Sequence, residues 1–189
     1  MPSNPSDSFT GRARVEIRDP DEDIVKSWTF ARVGPVEARE ITRWRYEGPY
    51  EIYNLESEEQ TVDYMVAADY RAAFDSAGRL TGVYCTGEAA QVTPVVSVDV
   101  YTDRTLLDVG LGLRPDLAGR GLGARFLTAC LVHAGLPGDK RGLRLSVASF
   151  NHRAIRAYRK VGFLVSRSFM GGPSDERREY LLMTRMGKP

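Results

Sequence analysis

Gly110-Leu-Gly-Leu-Arg-Pro-Asp-Leu-Ala-Gly-Arg-Gly-Leu-Gly123 reads as the end of a strand, a glycine-rich turn and the start of a helix. The strand is Leu106 to Leu113. Leu107, Val109, Leu111 and Leu113 fall on one face, and Asp108, Gly110 and Gly112 on the other, the two-residue period of a pleated backbone. Pro115 ends it. From Arg120 to about Ala134, Leu122, Phe126, Ala129, Cys130 and His133 recur at helical spacing, so one helix face packs on a sheet. Gly135 and Pro137 stop that helix. A glycine turn of this kind lays backbone N–H groups around a small concavity. The helix N-terminus adds unpaired N–H groups and the positive end of its dipole. Together they make a phosphate cradle.

The spacing narrows which phosphate. A nucleotide-binding P-loop needs Lys-Ser or Lys-Thr after its last glycine, and Ala124-Arg125 follows here. A dinucleotide fingerprint needs Gly-x-Gly-x-x-Gly and an acidic residue about 20 positions later, at the end of the next strand. This chain has Gly119-x-Gly121-x-Gly123, and its next strand ends at Ala148-Ser149 without an acid. A tight strand-to-helix turn with no ligand also satisfies the pattern.

Outward from the turn, Trp28 to Val33 reads as an early strand, and Pro35 opens a helix through Val36, Ile41 and Trp44. Tyr46 to Leu55 is an aromatic loop or short broken helix around Gly48-Pro49. Glu58 to Ala68 fits a helix with Val62, Met65 and Val66 on one side. Tyr70 to Phe74 is a short strand, Asp75 to Gly78 a hairpin turn, and Leu80 to Ala90 a strand with weak points at Gly82 and Gly87. Gln91 to Arg104, with Pro94, is a polar connection. Leu143 to Ala148 is a strand, and Asn151 caps a helix from His152 to Val161 that Gly162 stops. Phe163 to Phe169 and Tyr180 to Arg185 are two final strands. No internal repeat is present.

The 189 residues, 42% hydrophobic, predict one domain at 12–189 behind a loose tail from Met1 to about Gly11. Twenty-six basic against 25 acidic residues give a charge of +1, without the basic excess of a dedicated nucleic-acid binder. Basic residues cluster only at Arg153, Arg156, Arg159 and Lys160. No apolar run suits a secretory signal or a membrane span. Cys85 and Cys130 lack metal-ligand spacing and read as reduced, buried residues of a cytoplasmic protein. His133 and His152 show no metal partners, and no metal is expected.

From Asn151 the chain runs Asn-His-Arg-Ala-Ile-Arg-Ala-Tyr-Arg-Lys-Val-Gly-Phe163. Here the sequence resembles the GNAT superfamily of acyl-CoA-dependent N-acyltransferases. That family carries Val-x-Pro-x-x-(Arg or Gln)-x-x-Gly-x-(Gly or Ala), and further on Asn-x-x-Ala-x-x-x-Tyr-x-x-x-Gly-Phe. Leu113, Pro115, Gly121 and Gly123 fit the first segment; Asn151, Ala154, Tyr158, Gly162 and Phe163 fit the second. The family's Arg or Gln is Ala118 here. The resemblance is close from Leu106 to about Phe169, and over Trp28 to Ala90 it lies only in the order of elements.

The resemblance implies an α/β (α+β) domain with a twisted, mixed, mostly antiparallel sheet flanked by helices. The parallel strands Leu106 to Leu113 and Leu143 to Ala148 would splay to admit acetyl-CoA. Gly119, Arg120, Gly121, Leu122, Gly123 and Ala124 would hold the pyrophosphate. The backbone of Leu111, Gly112 and Leu113 would pair with the pantetheine arm, Gly110 and Gly112 allowing close approach, and N–H groups around Leu113 would polarise the thioester carbonyl. Asn151, a cap on any reading, would also touch the cofactor. Tyr158 would protonate the departing thiolate, or stand as a packed aromatic. Asp108 is the candidate general base, or a plain strand-start aspartate. Ser146 stands where some relatives have an acid, and Glu47 and Glu51 are remote alternatives. Trp44, Tyr46, Tyr50 and Tyr53 would form the acceptor wall, or an aromatic cluster closing the domain edge. The expected activity is transfer of an acetyl group to an amine, on a small molecule or a peptide, by direct attack. The alternative is an acyl-CoA-binding regulator or inactive homologue. Late strands in this fold often pair across a homodimer.

Overall fold

The computed structural model describes residues 28–93, 100–136, 141–172 and 177–187. The Met1 to Gly11 tail and the punctuating Pro94 and Pro137 lie outside them. Seven strands form one sheet: β1 (Thr29–Arg32), β2 (Arg71–Phe74), β3 (Leu80–Thr86), β4 (Leu106–Leu113), β5 (Gly142–Ala148), β6 (Leu164–Gly171) and β7 (Arg178–Arg185). Their order is β1-β2-β3-β4-β5-β7-β6. Every neighbour is antiparallel except β4 with β5, which run parallel. Four α-helices flank the sheet: α1 (Pro35–Ile41), α2 (Glu59–Ala67), α3 (Gly123–His133) and α4 (His152–Lys160).

The alternation read from Leu106 to Leu113 decides which layer goes where. Val109, Leu107 and Leu111 pack with Leu127 and Leu131 of α3, Ile155 of α4 and Leu143, Leu145 and Val147 of β5. On the opposite face, Val83 and Leu80 pack with Ala38 and Ile41 of α1 and Val62 and Met65 of α2. Phe126 is fully buried beside Tyr84 and Cys130. A Cβ on Gly82 would lie 2.4 Å from its ring, so the glycine that reads as a weak point is the space Phe126 needs.

Several boundaries differ from the sequence reading for local reasons. α3 starts at Gly123 instead of Arg120, because Gly119 and Gly121 sit at φ +86° and +82°, outside the helical region. β3 stops at Thr86, where Gly87 at φ +72° turns the chain into a 3-10 helix, Gly87–Ala90. Val36 is 73% exposed in the first turn of α1, whose core contacts come from Ala38 and Ile41. Trp44 lies past the end of that helix.

The parallel pair is joined only at Leu106↔Gly142, Leu107↔Leu143 and Asp108↔Arg144. Beyond Asp108, β4 continues beside β3 to Leu113 and β5 continues beside β7 to Ala148. The two strands therefore part like a V, with its apex at Asp108 and Arg144.

The core also holds its thiols and phenols protonated. Burial pushes Cys85 up to about 11 and Tyr46 and Tyr84 up to about 12. Burial likewise raises Cys130, Tyr70 and Tyr158 well above their ordinary values. Below about pH 7.5 these groups carry their protons in both folded and unfolded chains, the unfolded thiols being the first to lose theirs. Above it the unfolded chain loses them first and binds fewer protons, so stability falls as pH rises. The melting temperature is expected to drop steadily from pH 9 to 11; a flat profile there would contradict the burial of these groups.

Candidate active site

The opening of the V leads into a cavity of about 680 Å³. Its β4 edge is free to pair. Arg114 donates its N–H to Thr81 of the β3 side, while Thr105 accepts from Gly142 of the β5 side. Alternation along the strand then turns the N–H and C=O groups of Val109, Leu111 and Leu113 toward the gap, and those of Gly110 and Gly112 toward β3. Gly112 lines the cavity, but its backbone is spent within the sheet. The close approach at the two glycines is by the protein itself. A Cβ on Gly110 would meet Ala90 at 3.2 Å, and one on Gly112 would meet the Tyr46 hydroxyl at 3.5 Å.

At the open end of β4 a 3-10 turn, Pro115–Leu117, leads to the two left-handed glycines and α3. No side chain caps α3 at Leu122, so its first N–H groups have no intrahelical partner. Gly119, Gly121, Gly123 and Ala124 line the cavity. Leu122 is buried beneath the turn, and Arg120 is exposed and outside the lining. Arg153, Arg156 and Lys160 of α4 line the same cavity, and Arg153 Nη1 lies 2.7 Å from the place of a Cβ on Gly119.

Asn151 joins two parts of the site. Its Oδ1 accepts from Ala154 N–H at 3.1 Å, capping α4, and its Nδ2 donates to the Tyr53 hydroxyl at 3.1 Å. One face of α4 carries Tyr158, which lines the cavity. Among the described residues its hydroxyl has no hydrogen-bond partner, and burial raises its pKa. It stays protonated at neutral pH, an O–H that no described residue takes up.

The aromatic segment bridges the two arms of the V. Its ends are tied together by Asn54, which accepts from Tyr46 N–H at 2.7 Å and donates to Tyr46 C=O at 3.2 Å. Between them Gly48–Tyr53 coils as a 3-10 helix. The Tyr46 hydroxyl donates to Leu113 C=O on β4 at 2.7 Å. On the other arm, Tyr50 accepts from Arg153 Nε at 3.0 Å, with the guanidinium 4.0 Å over its ring, and Tyr53 accepts from Asn151. Trp44, Tyr46, Tyr50 and Tyr53 all line the cavity. The sequence placed these aromatics near the site but gave no sign of the hydrogen bonds or of Asn54.

Asp108 stands at the apex, nearly buried, and does not line the cavity. It accepts from Arg144 Nε at 2.6 Å and Nη2 at 2.9 Å, and from Gln91 Nε2 at 2.8 Å. Ser146 lines the cavity and bonds the Tyr101 hydroxyl at 2.7 Å. Glu47 and Glu51 are exposed. Among the described residues, no Asp or Glu lines the cavity. His133 is occupied elsewhere, 2.6 Å from the Tyr84 hydroxyl and stacked on Phe30.

The sequence profile of the acetyltransferase (GNAT) family matches residues 38–163. The chain belongs to that family. Solved structures share the GNAT fold. One is yncA, a putative acetyltransferase from Salmonella typhimurium with its cofactor acetyl-CoA: TM-score 0.59, 16% identity, covering 86% of this chain and 95% of that one. Another is a phosphinothricin acetyltransferase from Sinorhizobium meliloti in complex with AcCoA: TM-score 0.56, 18% identity, covering 85% and 89%. A third is AAC(6')-Ib in complex with ribostamycin and coenzyme A: TM-score 0.60, 16% identity, covering 85% and 93%. No curated protein sequence matches the chain. Within the GNAT fold, the splayed parallel pair and the glycine turn of this chain are the two halves of one cleft. No helix among the described residues is long and apolar enough to cross a membrane.

Proposed function

We propose that the chain is an N-acetyltransferase that moves an acetyl group from acetyl-CoA to an amine by direct attack. The observation that carries this reading is the V itself. The β4 edge leads from a glycine-rich helix start without a side-chain cap down to a phenol with no partner among the described residues. That combination fits an extended thioester with a phosphate-bearing end. The N–H groups of residues 119 to 124 and the basic lip of Arg153, Arg156 and Lys160 supply positive potential for phosphates. The edge groups of Leu111 and Leu113 pair with an amide-bearing arm as a neighbouring strand would. The carbonyl of Leu113 already accepts from Tyr46, so its N–H is the group left to give. An N–H from this edge polarises the thioester carbonyl.

Bound acetyl-CoA supplies a thioester, whose C–S bond breaks as the C–N bond to the amine forms. Tyr158 O–H donates toward the leaving sulfur. The desolvation that raises the phenol raises the proton affinity of a thiolate beside it, so the donor and acceptor remain matched. Asp108 is excluded from this account as the base, because its oxygens are held by Arg144 and Gln91 outside the cavity lining. The amine therefore enters as its free base and gives its surplus proton to water. A cytoplasmic location fits the two buried free thiols. Edge strand β6, with Leu164 and Val165 exposed, is the surface on which a second copy would pair.

The lack of a carboxylate among the described lining residues also supports a second reading, an acyl-CoA-binding regulator without turnover. Calorimetry with acetyl-CoA and a thiol-release assay over an amine panel separate the two. Binding with CoA release is the expected result. Binding without release on any amine supports the regulator, and no binding refutes both.

A further inference from the structure

Just above the apex of the V, two oxygen acceptors face the cavity from different elements. Gln91 follows the 3-10 helix Gly87–Ala90, which lies against Gly110. Ser146 is two residues beyond Arg144, on the same face of β5. Both line the cavity. The Gln91 amide has its orientation imposed on it. Asp108 faces the Arg144 guanidinium, and a carboxylate so placed accepts hydrogen bonds and gives none. Gln91 must therefore turn its NH2 to Asp108, as it does at 2.8 Å. Among the described residues its Oε1 is left without a partner.

Ser146 is held by Tyr101. Tyr101 accepts from Val92 N–H at 3.0 Å and lies 2.7 Å from Ser146 Oγ. Whichever hydroxyl gives its hydrogen in that pair, Ser146 Oγ keeps a lone pair able to accept. The Tyr101 ring in turn lies 5.0 Å from the Arg144 guanidinium.

We infer that the acceptor substrate is a neutral primary amine with an apolar body, its two N–H groups held by Gln91 Oε1 and Ser146 Oγ. The inference rests on the acyl-transfer reading above. A free amine has two N–H donors and one lone pair; two fixed oxygens take the donors and leave the lone pair for the thioester carbon. Beside them the wall is Ile41, Trp44, Met65, Tyr70 and Val83. A second cationic centre on the acceptor finds no carboxylate among the described lining residues. Aryl and arylalkyl monoamines fit such a wall, and polyamines and aminoglycosides do not. Gln91 touches the substrate; Asp108 is a positioning residue that acts through it.

The test is steady-state kinetics of the full chain with phenethylamine, benzylamine, spermidine and an aminoglycoside, on wild type, Gln91→Leu, and Gln91→Leu combined with Asp108→Asn. Wild type is expected to favour the monoamines by at least about 10-fold in kcat/KM. Gln91→Leu is expected to lose about 10- to 100-fold in kcat/KM for the amine, with the KM for acetyl-CoA unchanged. If the double variant folds by circular dichroism, it loses no more than Gln91→Leu alone. A Gln91→Leu enzyme within twofold of wild type, or a preference for the polycations, overturns the inference. Further loss in the folded double variant overturns the positioning role of Asp108. A wild type that binds acetyl-CoA yet acetylates none of these or any other amine overturns the acyl-transfer reading, and this inference with it.

Discussion

Replacing Tyr158 with Phe is expected to lower kcat by about 10²- to 10⁴-fold, the usual contribution of a positioned acid, while acetyl-CoA binds as before. The substitution removes one oxygen and keeps the ring. Tyr158 packs through that ring against the core cluster that includes Phe163, so the fold loses little. Its hydroxyl bonds no described residue, so no structural hydrogen bond is lost either. What goes is the O–H that the proposed mechanism directs at the leaving sulfur. Loss in kcat with an unchanged dissociation constant is the mark of an interaction made only in the transition state. Full kcat in the Phe variant would make Tyr158 a packing residue and leave thiolate protonation to water.

The second large effect concerns stability. Asp108→Ala is expected to cost about 3–5 kcal/mol, because it leaves the Arg144 guanidinium buried and uncompensated. Arg144 is 2% exposed, and among the described residues its further acceptors are the carbonyls of Val100 and Tyr101, both at 3.4 Å. Replacing both members, as in Asp108→Leu with Arg144→Met, is expected to restore most of that loss, since apolar side chains of similar volume remove the desolvation penalty altogether. Urea unfolding monitored by circular dichroism measures both. A loss below about 1 kcal/mol in the single variant would mean that water reaches the apex and that the V is not closed there. The double variant should unfold normally yet acetylate amines poorly, because nothing then orients Gln91.

Most of the fold was legible because its elements are strongly periodic. The alternation from Leu107 to Leu113 fixed both faces of β4, and the glycines and prolines marked the turns. The glycine turn that lines the cavity was legible for a related reason. Such turns need glycines at set places, and Gly119, Gly121 and Gly123 show that need in the sequence itself. The hydrogen-bonded wall of the cavity was not. Asn54, Gln91 and Tyr101 act through hydrogen bonds to residues far along the chain, and such pairings leave no local spacing. One clue was available. Arg144 is the one charged residue of its strand, where a buried charge requires a partner, and Asp108 occupies the facing position once the two strands are set parallel. That pairing also accounts for why the residue that looked like a base lies outside the cavity. The same lack of spacing hid the reach of Arg153, whose guanidinium spans from Tyr50 to the glycine turn.

The most direct test of the acyl-CoA cleft is a crystal structure of the full chain with acetyl-CoA. The expected result has the pantetheine arm lying between β4 and β5 and bonded to the backbone of Leu111 and Leu113. The pyrophosphate would sit on the N–H groups of residues 119 to 124, with the sulfur within reach of the Tyr158 hydroxyl. Acetyl-CoA bound elsewhere, or a gap between β4 and β5 closed by protein, would contradict it.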